Sequence, residues 1–166
     1  MRIVTLLAAA ALLGVSATAI QAQAPAAAPA KDVFKYTSPD SVTTALANHN
    51  ANTGQATSPI ATYPDFSGVT VDRNKSGRVE IHDKWTDFIV VVDGRATFTI
   101  GGTVTGKVVN GAPERGEWFG DSSSGGQVYD MVPGATFIVP AGTPHWMQVP
   151  AGGHVHYIAF KRPATP

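Results

Sequence analysis

Two short stretches hold the residues best suited to chemistry. The first, VEIHDKWTDF, contains Glu80, His82 and Asp87, and the second, GATFIVPAGTPHWMQV, contains His145. Two imidazoles and one carboxylate, from His82, His145 and Asp87, form the ligand set of a non-haem Fe(II) facial triad, which also suits Zn or Mn. Glu80 could be a fourth ligand, in which case two carboxylates would neutralise a divalent cation.

His145 alone does not make a metal site, because a single histidine is as readily a hydrogen-bonded core or surface residue. Glu80 and His82 are two residues apart and share a face if they lie in a strand. A short bend at residues 83–84 would return Asp87 to that side, facing an apolar interior. A polar residue aimed into such an interior must be paired, hydrogen-bonded or bound to metal. A shared metal and a metal-free pocket both remain open on this reasoning.

Turn residues predict the position of His145 relative to two turns and the strand that follows them. Gly134 follows Pro133 and suits a tight turn into a strand. Pro140 cannot continue a central ladder and Gly142 can adopt positive φ, so these two residues predict a second turn. His145 should then lie early on the next strand.

The strongest hairpin signal lies just after the first stretch. Residues 89–92 are β-branched, Asp93-Gly94 is a favoured hairpin turn, and residues 95–100 alternate in polarity. Ala96, Phe98 and Ile100 should face a core.

A helix is predicted before these strands. Ser38 suits an N-cap, Pro39 suits the first helical position, and Asp40 places an acid in the first turn. The helix should end near residues 48–50, with His49 solvated at that end.

The remaining segments predict further short strands. Residues 101–133 are glycine-rich and predict a long, partly irregular connection, which Trp118 and Phe119 could anchor. His154 and His156 are expected to face solvent or to be hydrogen-bonded. Many short strands with Gly and Pro turns, preceded by one helix, predict a small β-barrel or sandwich.

The N-terminal segment has the layout of a secretory signal peptide. Arg2 precedes an apolar run to about residue 20, and a small-x-small site follows at residues 22–24. A membrane anchor is the alternative interpretation. We expect a signal peptide over residues 1–24, an Ala/Pro-rich linker over residues 25–31, and one domain over residues 32–166. The protein should therefore be periplasmic or secreted.

Composition narrows the partners. The chain has 12 basic and 12 acidic residues and no cysteine. Without a basic run or a basic amphipathic helix, no nucleic acid and, after signal cleavage, no membrane surface is expected. Small molecules are the expected partners.

The second stretch resembles the second motif of the cupin superfamily, G-x5-P-x-G-x2-H-x3-N. Gly134, Pro140, Gly142 and His145 match it, and Val149 stands at the final Asn position.

The first stretch resembles the first cupin motif, G-x5-H-x-H-x3,4-E-x6-G. His82 matches the second His, Asp87 stands at the Glu position, and Gly94 closes the motif. Glu80 replaces the first His and Asn74 replaces the leading Gly. The resemblance covers roughly residues 69–160.

The resemblance implies an all-β fold, a single antiparallel cupin barrel (a double-stranded β-helix or jelly roll) with a short N-terminal helix. It implies a divalent Fe, Mn or Zn ion in the barrel mouth, held by Glu80, His82, Asp87 and His145. Glu80 could instead be a catalytic base or a substrate contact. Dioxygenase and isomerase chemistry are both implied. The alternative is a metal-free cupin that binds a sugar or organic acid. By analogy, a homodimer is possible.

Overall fold

The computed structural model describes residues 36–164. The predicted signal peptide and linker lie outside this range. One α-helix, α1, spans Pro39–Leu46. The strands in chain order are β1 Gln55–Tyr63, β2 Phe66–Arg73, β3 Val79–His82, β4 Trp85–Gly94, β5 Ala96–Ile100, β6 Thr103–Thr105, β7 Val108–Val109, β8 Glu117–Gly120, β9 Ser122–Ser124, β10 Gln127–Met131, β11 Thr136–Val139, β12 His145–Gln148 and β13 Val155–Pro163.

Two antiparallel sheets make up the barrel. One has five strands in the order β1-β2-β13-β4-β11, and the other has six in the order β10-β5-β12-β3-β8-β7. A small ribbon of β6 and β9 completes the strands of residues 36–164. A short 3-10 helix, Pro113–Arg115, precedes β8. The architecture confirms the predicted all-β barrel with one N-terminal helix.

Alternating side chains from both sheets fill the core. On β4, Ile89 and Val91 are buried, whereas Val90 and Val92 are exposed. On β5, Ala96 and Phe98 are buried as predicted, and Ile100 packs against the same core. The buried core cluster consists of Val71, Ile89, Val91, Ala96, Phe98, Met131, Val139, Met147, Val149, Val155, Tyr157 and Ala159.

The helix begins as its sequence predicts. Ser38 is the N-cap and accepts a hydrogen bond from the backbone N–H of Ser41, and Pro39 occupies the first turn. The helix ends at Leu46, two residues before the predicted region. In residues 36–164, no helix is long and apolar enough to cross a membrane.

The predicted hairpin is wrong. β4 pairs with β11 and β13, whereas β5 pairs with β10 and β12, so Asp93-Gly94 carries the chain from one sheet to the other. Gly94 has a φ of 76°. A Cβ at this position would lie 2.2 Å from the carbonyl oxygen of His154, so the crossing requires glycine. The positive φ expected of Gly94 is present, but the strands on either side of it pair with other strands.

Candidate metal centre

Strands β3 and β12 place three of the four candidate ligands side by side. Glu80 and His82 lie on β3, and His145 is the first residue of β12. Glu80 and His145 are directly opposite each other in the β3–β12 pair. Cross-strand neighbours point to the same face of a sheet. Ligand atoms of Glu80, His82 and His145 accordingly all lie within 4.8 Å of one another.

Asp87 reaches these residues from the opposite sheet. β3 and β4 are consecutive in the chain but belong to different sheets, so the turn at residues 83–84 crosses between them. The Asp87 Oδ2 atom lies 3.4 Å from His82 Nε2 and 3.6 Å from His145 Nε2. The bend predicted from the sequence therefore does bring Asp87 to the histidines, across the barrel interior.

The Pro-Ala-Gly turn also passes from one sheet to the other. It joins β11 to β12, and Gly142 has the expected positive φ of 76°. The Gly142 backbone N–H donates to the carbonyl oxygen of His82 at 2.9 Å. This bond ties the turn before His145 to the end of β3, so the two histidines are held in register through the backbone.

The spacing of the ligand atoms suits a shared metal. Glu80 Oε2 lies 3.7 Å from His82 Nε2 and 4.0 Å from His145 Nε2. Ligands about 2.1 Å from a metal are about 3.0 Å apart at right angles and about 3.4 Å apart at the tetrahedral angle. The observed imidazole–carboxylate distances of 3.4–4.0 Å equal the tetrahedral separation or exceed it by up to about 0.6 Å. Small side-chain movements would close the cluster on one ion.

Both imidazoles are fixed by their Nδ1 atoms. His82 Nδ1 contacts a carboxylate oxygen of Glu117, and His145 Nδ1 lies 3.1 Å from the carbonyl oxygen of Thr143. Carboxylate and carbonyl oxygens only accept, so both Nδ1 atoms must carry the proton. In a neutral ring the Nε2 atom then carries a free lone pair. Both Nε2 atoms face the carboxylates of Glu80 and Asp87. This is the arrangement by which proteins orient histidine ligands.

Protonation in the site also favours cation binding. Burial lowers the pKa of His145, which keeps the ring neutral and its lone pair available. Burial alone would raise the pKa of Glu80, but cationic neighbours, among them Arg73 and Lys161, outweigh burial and lower that pKa. Glu80 is therefore ionised at neutral pH.

Two buried polar atoms of the cluster are left without hydrogen bonds. Within the described range, His82 Nε2 and Asp87 Oδ1 have no hydrogen-bond partner. The Lys161 ammonium lies 3.3 Å from Asp87 Oδ1, close enough for an ion pair but not aligned as a hydrogen bond. Orphaned buried polar groups are rare and costly. A cation bound by Nε2 of His82 would remove this cost, so the donor set fits a divalent metal.

Glu117 is a functional residue that the local sequence patterns do not indicate. It lies on β8 directly opposite His82 and forms the hydrogen bond that orients that ring. Only Trp118 and Phe119 suggested that this segment was ordered, and they do pair with β3. An acid immediately before two aromatic residues was the available signal. Its pairing with a strand 35 residues earlier could not be read locally.

Two further charged residues of the cavity were also missed. Arg73 and Lys161 line the same cavity of about 220 Å³ as Glu80, Asp87 and His145. Phe98 and Met147 line it too.

The other histidines are held outside this cluster. His49 Nε2 lies 2.7 Å from Asp72 Oδ1, and His154 Nδ1 lies 2.9 Å from Asp72 Oδ2. His156 contacts Thr70 Oγ1 at 2.8 Å. The expectation for His154 and His156 is confirmed. His49 is partly buried and bonded, so its prediction as a solvated helix-end residue is wrong.

Solved structures share this fold at low sequence identity. The polyketide cyclase RemF from Streptomyces resistomycificus aligns with a TM-score of 0.53 and 14% identity, over 80% of this chain and 81% of that one. Peruvianin-I, a cysteine peptidase from Thevetia peruviana latex, aligns with a TM-score of 0.53 and 14% identity, over 86% and 81%. Recombinant oxalate oxidase in complex with glycolate aligns with a TM-score of 0.50 and 19% identity, over 83% and 64%. This chain thus spans less than two thirds of that oxalate oxidase.

These likenesses establish the fold alone. RemF and oxalate oxidase are cupin-fold proteins, and the same arrangement of strands is present here. No protein-family model matches the chain, and no curated protein matches it in sequence. The function must therefore be argued from the residues of the site.

Proposed function

We propose that this chain, which has the cupin fold, is an exported metal-dependent enzyme that acts on a small molecule inside the barrel. One observation carries the proposal. Both His82 and His145 have Nδ1 anchored, by Glu117 and Thr143, and present Nε2 to two carboxylates in a buried cavity. A structural histidine needs no such orientation.

The proposed ligands are His82, His145, Asp87 and Glu80. A bound divalent Fe, Mn or Zn ion would supply Lewis-acid chemistry, or redox chemistry in the case of Fe or Mn. Glu80 is 30% exposed, whereas Asp87 is 5% exposed. Glu80 is thus the carboxylate nearer to an incoming substrate. As an ionised group it would either stay on the metal or accept a proton from the substrate.

The reaction class is proposed more coarsely than the site. A metal with two imidazole and two carboxylate ligands could serve dioxygenase or isomerase chemistry. The fold does not choose between them, because one fold hosts many reactions. Export rests on the signal-like residues 1–24. Homodimer formation is proposed by analogy with cupins.

A metal-free binding protein is the second candidate. Arg73 Nη2 lies 3.5 Å from Glu80 Oε1, and Lys161 Nζ lies 3.3 Å from Asp87 Oδ1. Each carboxylate of the cluster therefore already has a cationic side chain nearby. In this case the cavity would hold a sugar or organic acid without turnover.

Metal content separates the two candidates. The mature domain would be purified without a histidine tag, and its bound metals measured by mass spectrometry. We expect near-stoichiometric transition metal in the wild type and none in His82→Ala or His145→Ala. The matched control is His154→Ala, since His154 is 47% exposed and bonds to Asp72 outside the cluster.

The outcomes are distinct. Metal that persists in both His82→Ala and His145→Ala would place the ion elsewhere and contradict the proposed site. A folded wild type that takes up neither Fe(II), Mn(II) nor Zn(II) on titration would refute the enzyme proposal and favour the binding protein.

A further inference from the structure

Three inward strand faces end in a charged residue at the same cavity. Arg73 follows the inward Val69 and Val71 on β2, and Lys161 follows Tyr157 and Ala159 on β13. On β4, Asp87 precedes Ile89 and Val91 in the same alternation. Inward charges are costly unless they are paired or used. Asp87 is accounted for by the metal cluster, which leaves the two cations to explain.

Arg73 is buried yet incompletely bonded. It is 4% exposed. Its Nη2 contact to Glu80 Oε1 is long, at 3.5 Å. Among the described residues, its Nε has no hydrogen-bond partner. A guanidinium has five N–H donors in a planar fork, so Arg73 keeps unused donors at the cavity wall.

Residue 77 leaves room for this guanidinium. A Cβ at Gly77 would lie 2.4 Å from Arg73 Nη1. The Gly77 carbonyl accepts from Trp146 Nε1 at 2.8 Å, and its N–H donates to the Met147 carbonyl at 3.0 Å. The backbone that supports Arg73 is thereby fixed to β12, the strand that carries His145.

The charges of the site favour one added negative charge. Glu80, Asp87 and Glu117 carry three negative charges, and Arg73 and Lys161 carry two positive ones. A divalent metal would leave one positive charge in excess. Arg78 also lines the cavity, but it is 45% exposed and bonds to Asp121 at 2.8 Å. It is therefore already paired outside.

We infer that the substrate of the proposed metal site is a small monocarboxylate, whose carboxylate binds the Arg73 guanidinium. The inference rests on the proposed function for its charge balance. Arginine and carboxylate match in planar, two-pronged geometry. Phe98, Met147 and Ile89 supply an apolar wall for the carbon body. A cavity of about 220 Å³ limits that body to a few carbon atoms.

Acid–amide pairs test this directly. Acetate, lactate and butanoate would be titrated calorimetrically into zinc-loaded protein, each beside acetamide, lactamide or butanamide. We expect at least one acid to bind more tightly than its amide by about tenfold to a hundredfold, because charged hydrogen bonds are stronger than neutral ones. Inorganic phosphate would be titrated as a second oxyanion.

Variants assign the preference to Arg73. Arg73→Gln should remove the acid preference, and Arg73→Lys, which keeps the charge but loses the fork, should retain part of it. Arg95→Gln is the matched control, because Arg95 is exposed and does not line the cavity. Should Arg73→Gln fail to fold, the partial loss in Arg73→Lys still decides the question.

Metal content of every sample separates this inference from the proposed function. Metal-free wild type refutes the metal site and the charge balance that includes it; an acid preference that depends on Arg73 in that protein supports only the binding of the carboxylate by Arg73. Equal binding of acids and amides overturns it, as does an acid preference unchanged in Arg73→Gln. The inference is also overturned if phosphate binds more tightly than every acid, or if no acid has a dissociation constant below about 10 mM.

Discussion

Histidines meet carboxylates in two places in this molecule, and the two places differ in how the imidazoles are bonded. The inner cluster consists of Glu80, His82, Asp87 and His145. The outer cluster consists of His49, Asp72 and His154.

In the outer cluster the carboxylate satisfies both rings directly. Each Asp72 oxygen accepts from one imidazole, at 2.7 and 2.9 Å. In the inner cluster the imidazole–carboxylate distances are 3.4–4.0 Å, too long or too poorly aligned for hydrogen bonds. Each inner ring is hydrogen-bonded through its Nδ1 atom to a residue outside the cluster, so its Nε2 atom is left to face the carboxylates of the cluster. Proximity of histidine and carboxylate therefore does not identify a metal site, whereas two Nε2 atoms that converge on the same carboxylates without hydrogen-bonding them do point to one.

The inner and outer clusters should differ most in how a metal changes the stability of the protein. Zn(II) at about 100 to 1,000 times its dissociation constant should raise the free energy of unfolding by about 3 to 4 kcal/mol. The double variant His49→Ala/His154→Ala should gain as much, and His82→Ala/His145→Ala should gain nothing. Urea denaturation with and without a chelator measures the gain. An equal gain in both double variants would mean that the two clusters do not differ as described.

Glu117→Gln tests whether the anchored Nδ1 matters. A glutamine side chain can still accept a hydrogen bond but is neutral, so it orients the His82 ring less firmly and makes it less basic. Metal affinity should weaken about tenfold to a hundredfold. Competition with a chromophoric chelator measures the affinity. Asp72→Asn is the matched control and should leave affinity unchanged; an equal loss in both variants would argue against an orienting role for Glu117.

The outer cluster should instead contribute to stability. Asp72→Asn weakens two hydrogen bonds that hold His49 and His154, so the free energy of unfolding should fall by about 1 kcal/mol. Urea denaturation in the presence of chelator isolates this effect from metal binding. No measurable fall would show that the outer bonds are replaced by water at no cost.

The smallest effect is expected for a single outer ring. His154 is 47% exposed. Its replacement by alanine should therefore lower the free energy of unfolding by less than about 0.5 kcal/mol. The same denaturation measurement applies. A larger loss would indicate that the hydrogen bond between His154 and Asp72 contributes more than its exposure implies.

Local patterns in the sequence predicted much of the fold. Ser38 and Pro39 marked the helix start because capping involves only neighbouring residues. The predicted bend turns Asp87 toward the interior, where it is buried on the same strand face as Ile89 and Val91. Alternation could have identified Arg73 and Lys161 as inward charges, since each continues an apolar strand face.

Strand pairing could not be predicted in the same way. Asp93-Gly94 satisfies the requirements of a hairpin turn, yet it joins strands in different sheets. A turn motif specifies local φ and ψ, whereas the partner of each strand depends on burial across the whole barrel. Glu117 remained hidden for this reason, because it meets His82 only through the pairing of β8 with β3.

The sequence by itself determined the four candidate ligands and the turns that precede two of them, because residue types and short-range backbone preferences are local properties. The tertiary structure alone decided that Asp87 approaches from the opposite sheet and that Glu117 and Thr143 hold the Nδ1 atoms. It also left Arg73 with unused donors at the cavity wall. Chemistry at a metal site depends on which atom faces which, and atoms far apart in the chain acquire that relation only when two sheets pack together.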